Sequence, residues 1–151
     1  MVKRVVLVAA AAVALAVAWT QAYQSSESRR YIAPRTKADT AAPFSGAVFV
    51  GNTLYLAGEI GTDANNKVPD TADAEAKAVL DKVQARLRAA GLTMDDLVSV
   101  QVFCSDVKHY DAFNTVYRTY FTKEYPARAF IGVGTLLYNA RFEVQGIAVK
   151  R

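Results

Sequence analysis

The sequence predicts an α+β fold, a β-sheet with two helices packed on one face. Three observations predict it: two runs of helical periodicity, β-rich runs on both sides of them, and turn-forming residues at the junctions. With 151 residues the chain is long enough for one domain with a sizeable core and short for two.

The first segment to justify is one that lies outside the domain. "MVKRVVLVAAAAVALAVAWTQA" opens with Lys3 and Arg4, continues as an apolar run from Val5 to Trp19, and closes on small residues around Ala22. This is the layout of a secretory signal peptide over 1–22. The run falls short of the roughly 20 residues that cross a bilayer as a helix, so it is expected to be cut and the protein to be periplasmic or secreted. A membrane partner is expected only if the segment stays uncleaved. Residues 23–28 are polar and read as a flexible tether, and 29–151 as the folded domain.

Inside the domain, "SGAVFVGNTLYLAGEI" holds two β-rich runs around Gly51-Asn52, a pair suited to the positive φ angles of a tight hairpin. "GTDANNKVPD" reads as a loop. From Thr71 the period changes: Ala76, Val79, Leu80, Val83 and Leu87 recur at three- and four-residue steps, with charged residues between them. Thr71 is placed to cap this helix and Gly91 to end it in the left-handed conformation.

"VSVQVFCSDV" returns to β-type composition. A second helix is expected from about Tyr110 to Phe121, with Phe113, Tyr117, Tyr120 and Phe121 on one face, read as packing against the sheet rather than as a ligand cage. "ARAFIGVG" and "RFEVQGIAV" are two further strands, so the expected order is β-β-α-β-α-β-β.

Composition excludes several chemistries. Lys3 and Arg4 supply two of the 18 basic residues and no acid precedes Glu27, so loss of the signal segment lowers the net charge from +4 to about +2. No basic track for nucleic acid remains, and no nucleic-acid partner is expected. Cys104 is the sole cysteine and His109 the sole histidine. An internal disulfide and a zinc site of nitrogen and sulfur ligands are both excluded within one chain. Cys104 reads as a small buried hydrophobe, and His109 as a capping or surface residue rather than a triad member. No Walker or dinucleotide loop occurs.

What remains are charges inside strand-like runs. Alternation puts Arg128, Phe130 and Gly132 on one face and Ala129, Ile131 and Val133 on the other; it groups Arg141, Glu143 and Gln145 opposite Phe142, Val144, Gly146 and Ala148. Two readings stay open from alternation alone. Arg128 and Glu143 can lie on a solvated sheet face or pair as cross-strand neighbours, or they can meet an anionic ligand.

Five stretches, "APFSGAVFVGNTLYLAGEIGTD", "AAGLTMDDLVSVQVFCSDV", "YDAFNTVYRTYF", "PARAFIGVG" and "FEVQGIAV", resemble in order and spacing the Rid/YjgF-type (RidA-like) imine deaminases, from about Tyr31 to the C-terminus. The resemblance implies a chorismate-mutase-like α+β fold, a homotrimer with sites in clefts between subunits, and cofactor-free hydrolysis of reactive 2-imino acids to 2-oxo acids and ammonia. It puts the family's carboxylate-binding arginine on Arg128, its water-positioning glutamate on Glu143 and its site asparagine on Asn114, with Gly58 and Phe130 beside them. The planar fork of a guanidinium suits a carboxylate through two charge-assisted bonds, which lysine does not reproduce.

Three positions depart from the family's pattern: Phe44 stands where tyrosine is common, Ala57 where serine is usual, and Ala129 where serine or threonine is common. Each lost hydrogen bond forfeits roughly 0.5–1.5 kcal/mol. The resemblance therefore carries two functions, a deaminase acting in the cell envelope or a catalytically silent trimeric binder of small carboxylates. An RNA-cleaving or chaperone-like role ranks last, because the charge is low and the compartment offers no RNA.

Overall fold

The computed structural model describes residues 28–32 and 43–151. The signal segment expected over 1–22, and the tether apart from Ser28, lie outside the described residues. The order is β1 (Arg29–Ile32), β2 (Ala47–Val50), β3 (Thr53–Leu56), β4 (Glu59–Ile60), α1 (Ala72–Ala89), β5 (Leu97–Cys104), α2 (Tyr110–Tyr117), β6 (Ala127–Gly132) and β7 (Phe142–Val149). The expected α+β order is present, with β1 and the two-residue β4 added. Both additions are too short to announce a period of their own.

The strands form one mixed sheet in the order β1-β2-β3-β7-β5-β6, with β4 also paired to β7. β5 and β6 are parallel, joined through α2; the remaining pairs are antiparallel. The hairpin forms at Gly51-Asn52, where Val50 pairs with Thr53. Positive φ is needed only at Gly51, at 57°, the first central position of a II′-type turn; Asn52 does not adopt it.

α1 carries the expected caps. Thr71 Oγ1 accepts from the Ala74 amide at 3.4 Å. At the other end Gly91 takes φ 79°, its amide donates to Arg88 O, and the Leu92 amide donates to Leu87 O, both at 2.9 Å. This 6→1 and 5→2 pair is a Schellman motif, closed by the buried Leu92. The apolar stripe of α1 is buried from Ala76 to Leu87, and each large side chain in it contributes about 1.5–3 kcal/mol of burial. The second helix is shorter than expected, since its last turn tightens into a 3₁₀ turn over Arg118–Tyr120. Phe113 and Tyr117 of its aromatic stripe are buried, and the Tyr120 hydroxyl instead crosses to α1, donating to Asp81 Oδ1 at 2.7 Å.

Both helices cover one sheet face. Phe142, Val144 and Ala148 of β7, with Val100, Val102 and Cys104 of β5, point into that core. Cys104 is buried, as expected, and burial pushes its thiol pKa up. His109 stands at the N-cap of α2 without capping it through its side chain; its ring packs edge-on against Phe142 at 6.1 Å.

One carboxylate joins the helix layer to the sheet. Glu75 of α1 is fully buried, and its Oε1 accepts the amides of Arg141 (2.6 Å) and Phe142 (3.1 Å). Its Oε2 meets Arg141 Nη1 at 2.7 Å. Arg141 also donates to the carbonyls of Pro69 and Asp70. This corrects the grouping of Arg141 with Glu143 and Gln145: Arg141 precedes the strand, so alternation does not govern it, and the buried carboxylate draws its guanidinium toward α1.

Candidate active site

Arg128 sits on β6 opposite Val100 of β5, a residue buried in the core. Along β6 only Arg128 and Phe130 are half-buried, while Ala127, Ala129 and Ile131 are exposed. Arg128 therefore lies beneath α2, on the helix-covered face. Tyr110, Asn114, Tyr117 and Arg118 recur at i, i+4, i+7 and i+8, forming one stripe of the helical segment directed at this place. The Arg128 guanidinium carbon is 4.6 Å from the Tyr117 ring centroid, 5.9 Å from that of Tyr110 and 5.8 Å from that of Phe130. Cation–π contacts of this kind hold the guanidinium at about 0.5–2 kcal/mol. They leave its in-plane N–H donors unused, and no described residue accepts a hydrogen bond from them or pairs with its charge.

Arg128, Asn114 and Tyr117 share an open cavity of about 240 Å³ that Tyr125 and Pro126 also line. Tyr117 is 4% exposed, and its hydroxyl is the one buried side-chain polar atom without a partner among the described residues. Burial pushes its pKa up to about 12, the nearby Arg128 charge opposing the rise and Tyr125 adding to it. A buried hydroxyl left unpaired costs roughly 1–3 kcal/mol, and this one belongs to the ring over which the acceptor-free guanidinium lies. Asn114 is likewise buried.

Glu143 lies elsewhere. It pairs with Phe103 of β5 and Ile60 of β4, on the face of the sheet that no helix covers. Gly58 makes this position possible: a Cβ there would stand 1.9 Å from Glu143 Oε1. Glu143 and Gln145 border a cavity of about 320 Å³ walled by Phe103 and the segment Val133–Leu136. No described residue bonds to the Glu143 carboxylate. Ala129 faces this same side, opposite Gln101. Phe44 is 58% exposed ahead of β2, and Ala57 is half-buried with its amide bonded to Gly46 O.

Thus the chain brings Arg128, Asn114 and Phe130 together and keeps Glu143, Gly58 and Ala129 on the opposite face. This overturns the cross-strand pairing of Arg128 with Glu143, because β5 runs between β6 and β7 and the two side chains leave the sheet in opposite directions. It also overturns the solvated-face reading for Arg128, which is roofed by aromatic rings. Of the absent hydroxyls, the one at Ala129 is not a loss to the Arg128 cavity. Sequence reasoning missed Tyr110, Arg118, Tyr125 and Pro126 as cavity walls and took Tyr117 for core alone; the signal available was the polar spacing of Tyr110, Asn114 and Arg118 along the helical stripe.

The fold recurs in known proteins. The chain is 38% identical over 109 residues to a 2-iminobutanoate/2-iminopropanoate deaminase of Dermatophagoides farinae, covering 71% of this chain and 85% of that one. The crystal structure of the YjgF gene product from E. coli superposes with a TM-score of 0.72 at 31% identity, over 81% of this chain and 99% of that one. E. coli TdcF, solved with bound serine, matches with a TM-score of 0.73 at 25% identity, over the same shares. The profile described as Endoribonuclease L-PSP matches residues 35–150, which takes in every strand from β2 onward, both helices and both cavities. With that span and those relatives, the chain belongs to the Endoribonuclease L-PSP family.

Proposed function

We propose that this chain hydrolyses 2-imino acids to 2-oxo acids and ammonia in the cell envelope, as a homotrimer whose sites pair Arg128 of one copy with Glu143 of the next. The observation that carries this reading is the Arg128 guanidinium, half-buried without a protein acceptor, beside the unpartnered Tyr117 hydroxyl. A carboxylate satisfies the guanidinium, and holding it fixes the adjacent imine carbon. The deaminase names of relatives at 32–38% identity support the same chemistry.

The reaction asks little more of the protein. Water loses a proton to Glu143 as its oxygen bonds to the imine carbon, and the C=N π pair moves to nitrogen, which is protonated. The carbinolamine then collapses: the C–N bond breaks, ammonia leaves, and C=O forms with the second water proton passing to nitrogen. An imine is electrophilic without activation by a metal, so positioning supplies most of the rate.

Because one chain holds Arg128 and Glu143 on opposite sheet faces, a site using both needs two copies. The open face offers the surface for that contact, with Tyr55 and Ile131 exposed among strand residues. The RNA-cleaving activity in the family's name finds no support in a cavity of this size or in the low net charge. Placement in the envelope rests on the layout of residues 1–22, and an amino-acid oxidase or dehydrogenase beyond the inner membrane would supply the imine.

The test generates 2-imino acids in situ with an amino-acid oxidase and follows their loss by semicarbazide trapping. Hydrolysis by the wild type, abolished in Arg128→Ala and in Glu143→Gln, is expected; Glu143→Gln should keep carboxylate affinity. Co-refolding the two inactive variants should restore activity at about one quarter of the sites, where an intact Arg128 meets an intact Glu143. No activity in the mixture would sink the two-copy site, and no wild-type hydrolysis would leave a carboxylate binder.

A further inference from the structure

The cavity that holds Arg128 contains a second cation. Arg118, the residue directly after α2, borders the same space, and its side chain has no hydrogen bond or ion pair with any described residue. No aspartate or glutamate lines the cavity. Two arginines therefore border a volume of about 240 Å³, Arg128 half-buried and Arg118 exposed at its rim, and no carboxylate of the same chain lines it. With Glu143 of the next copy acting on water, a monocarboxylate held by Arg128 leaves Arg118 with solvent as its partner, and a second carboxylate is what would engage it.

The aromatic walls do not offer a slot for a ring. The Tyr117 face is occupied by the Arg128 guanidinium and by stacking with Tyr125 at 6.3 Å, and Phe130 is enclosed edge-on by Tyr110 at 5.0 Å and Phe113 at 5.6 Å. The space is also below the roughly 300–1,000 Å³ that drug-sized ligands fill. Its lining from this chain holds two arginines and no acidic residue.

We infer that the substrates are 2-imino acids whose side chain carries a second carboxylate. The inference rests on the imine-hydrolysis reading above and names the substrate class of that site. Arg128 takes the carboxylate next to the imine carbon, and Arg118 takes the distal one. Specificity then comes from Arg118, since a substrate without the second carboxylate leaves that guanidinium unpaired.

The test uses the full-length protein and imines made in situ from alanine, aspartate and glutamate by matching oxidases, comparing kcat/KM. The wild type should prefer the dicarboxylic imines by about tenfold or more, the effect of one charge-assisted contact. Arg118→Gln should reduce that preference by about tenfold, and Arg118→Glu should invert it. Wild-type rates that are equal for the alanine- and glutamate-derived imines, or a preference that Arg118→Gln leaves in place, would overturn the inference. If no imine is hydrolysed, the deaminase reading fails by itself, and calorimetry with 2-oxoglutarate against pyruvate decides the inference. Tighter binding of the diacid, weakened in Arg118→Gln, would uphold it; equal or weaker binding would overturn it.

Discussion

Arg128 and Arg141 are both half-buried arginines flanking the same sheet, and their surroundings differ in kind. Arg141 is saturated: Glu75 takes its charge, and the carbonyls of Pro69 and Asp70 take further donors. Arg128 is offered aromatic faces and no acceptor. The first arrangement ties α1 to the start of β7, and the second leaves donors without an acceptor among the described residues, as the proposed carboxylate site requires. A charge whose partners are all internal contributes to the fold; one held in place without partners contributes to binding.

Removing the internal partner should produce the largest effect. Glu75→Ala strands the Arg141 guanidinium and the amides of Arg141 and Phe142, and is expected to cost about 3–5 kcal/mol in urea unfolding. Arg128→Ala is the opposite case. Its stability change should stay within about 2 kcal/mol, since only ring contacts are lost, while carboxylate affinity falls about 10- to 100-fold. A stability loss in Arg128→Ala comparable to that in Glu75→Ala would erase the distinction.

Gly58→Ala extends the comparison to Glu143. The added Cβ would displace the carboxylate, the far end of a flexible side chain, so turnover should fall several-fold at unchanged carboxylate affinity and nearly unchanged stability. The smallest effect concerns Tyr117. Its pKa is about 12 in the folded chain against 10.0 ordinarily, so the folded state holds that proton more tightly. The corresponding stability is fully present below pH 10 and is lost as pH rises toward 12. Tyr117→Phe should remove this part of the alkaline decline and leave neutral-pH stability equal or higher. Denaturant melts at pH 8 and pH 11 measure it.

Much of this was legible in the linear chain. Thr71 and Gly91 bound α1 as their chemistry requires, Gly51 makes the hairpin, and the three- and four-residue steps from Ala76 to Leu87 mark the buried stripe. Each of these depends on residues close in sequence, where backbone geometry alone decides the outcome. Arg128, Asn114 and Glu143 could be named from the order of motifs, and the alternation within β6 and within β7 could be read correctly.

What alternation could not supply was which face of the sheet each set meets. That is set by the parallel crossover from β5 through α2 to β6, which lays a helix over Arg128, and by β5 lying between β6 and β7, which separates Arg128 from Glu143. The same crossover gathers Tyr110 and Tyr117 around the guanidinium and brings Arg118 to the border of its cavity. Sequence by itself determined the elements, their ends and the charged residues worth watching, because those follow from local backbone and periodicity. Tertiary structure alone decided that Arg141 is spent on Glu75 while Arg128 is kept free, because the partners of a charge are chosen by elements that are distant along the chain.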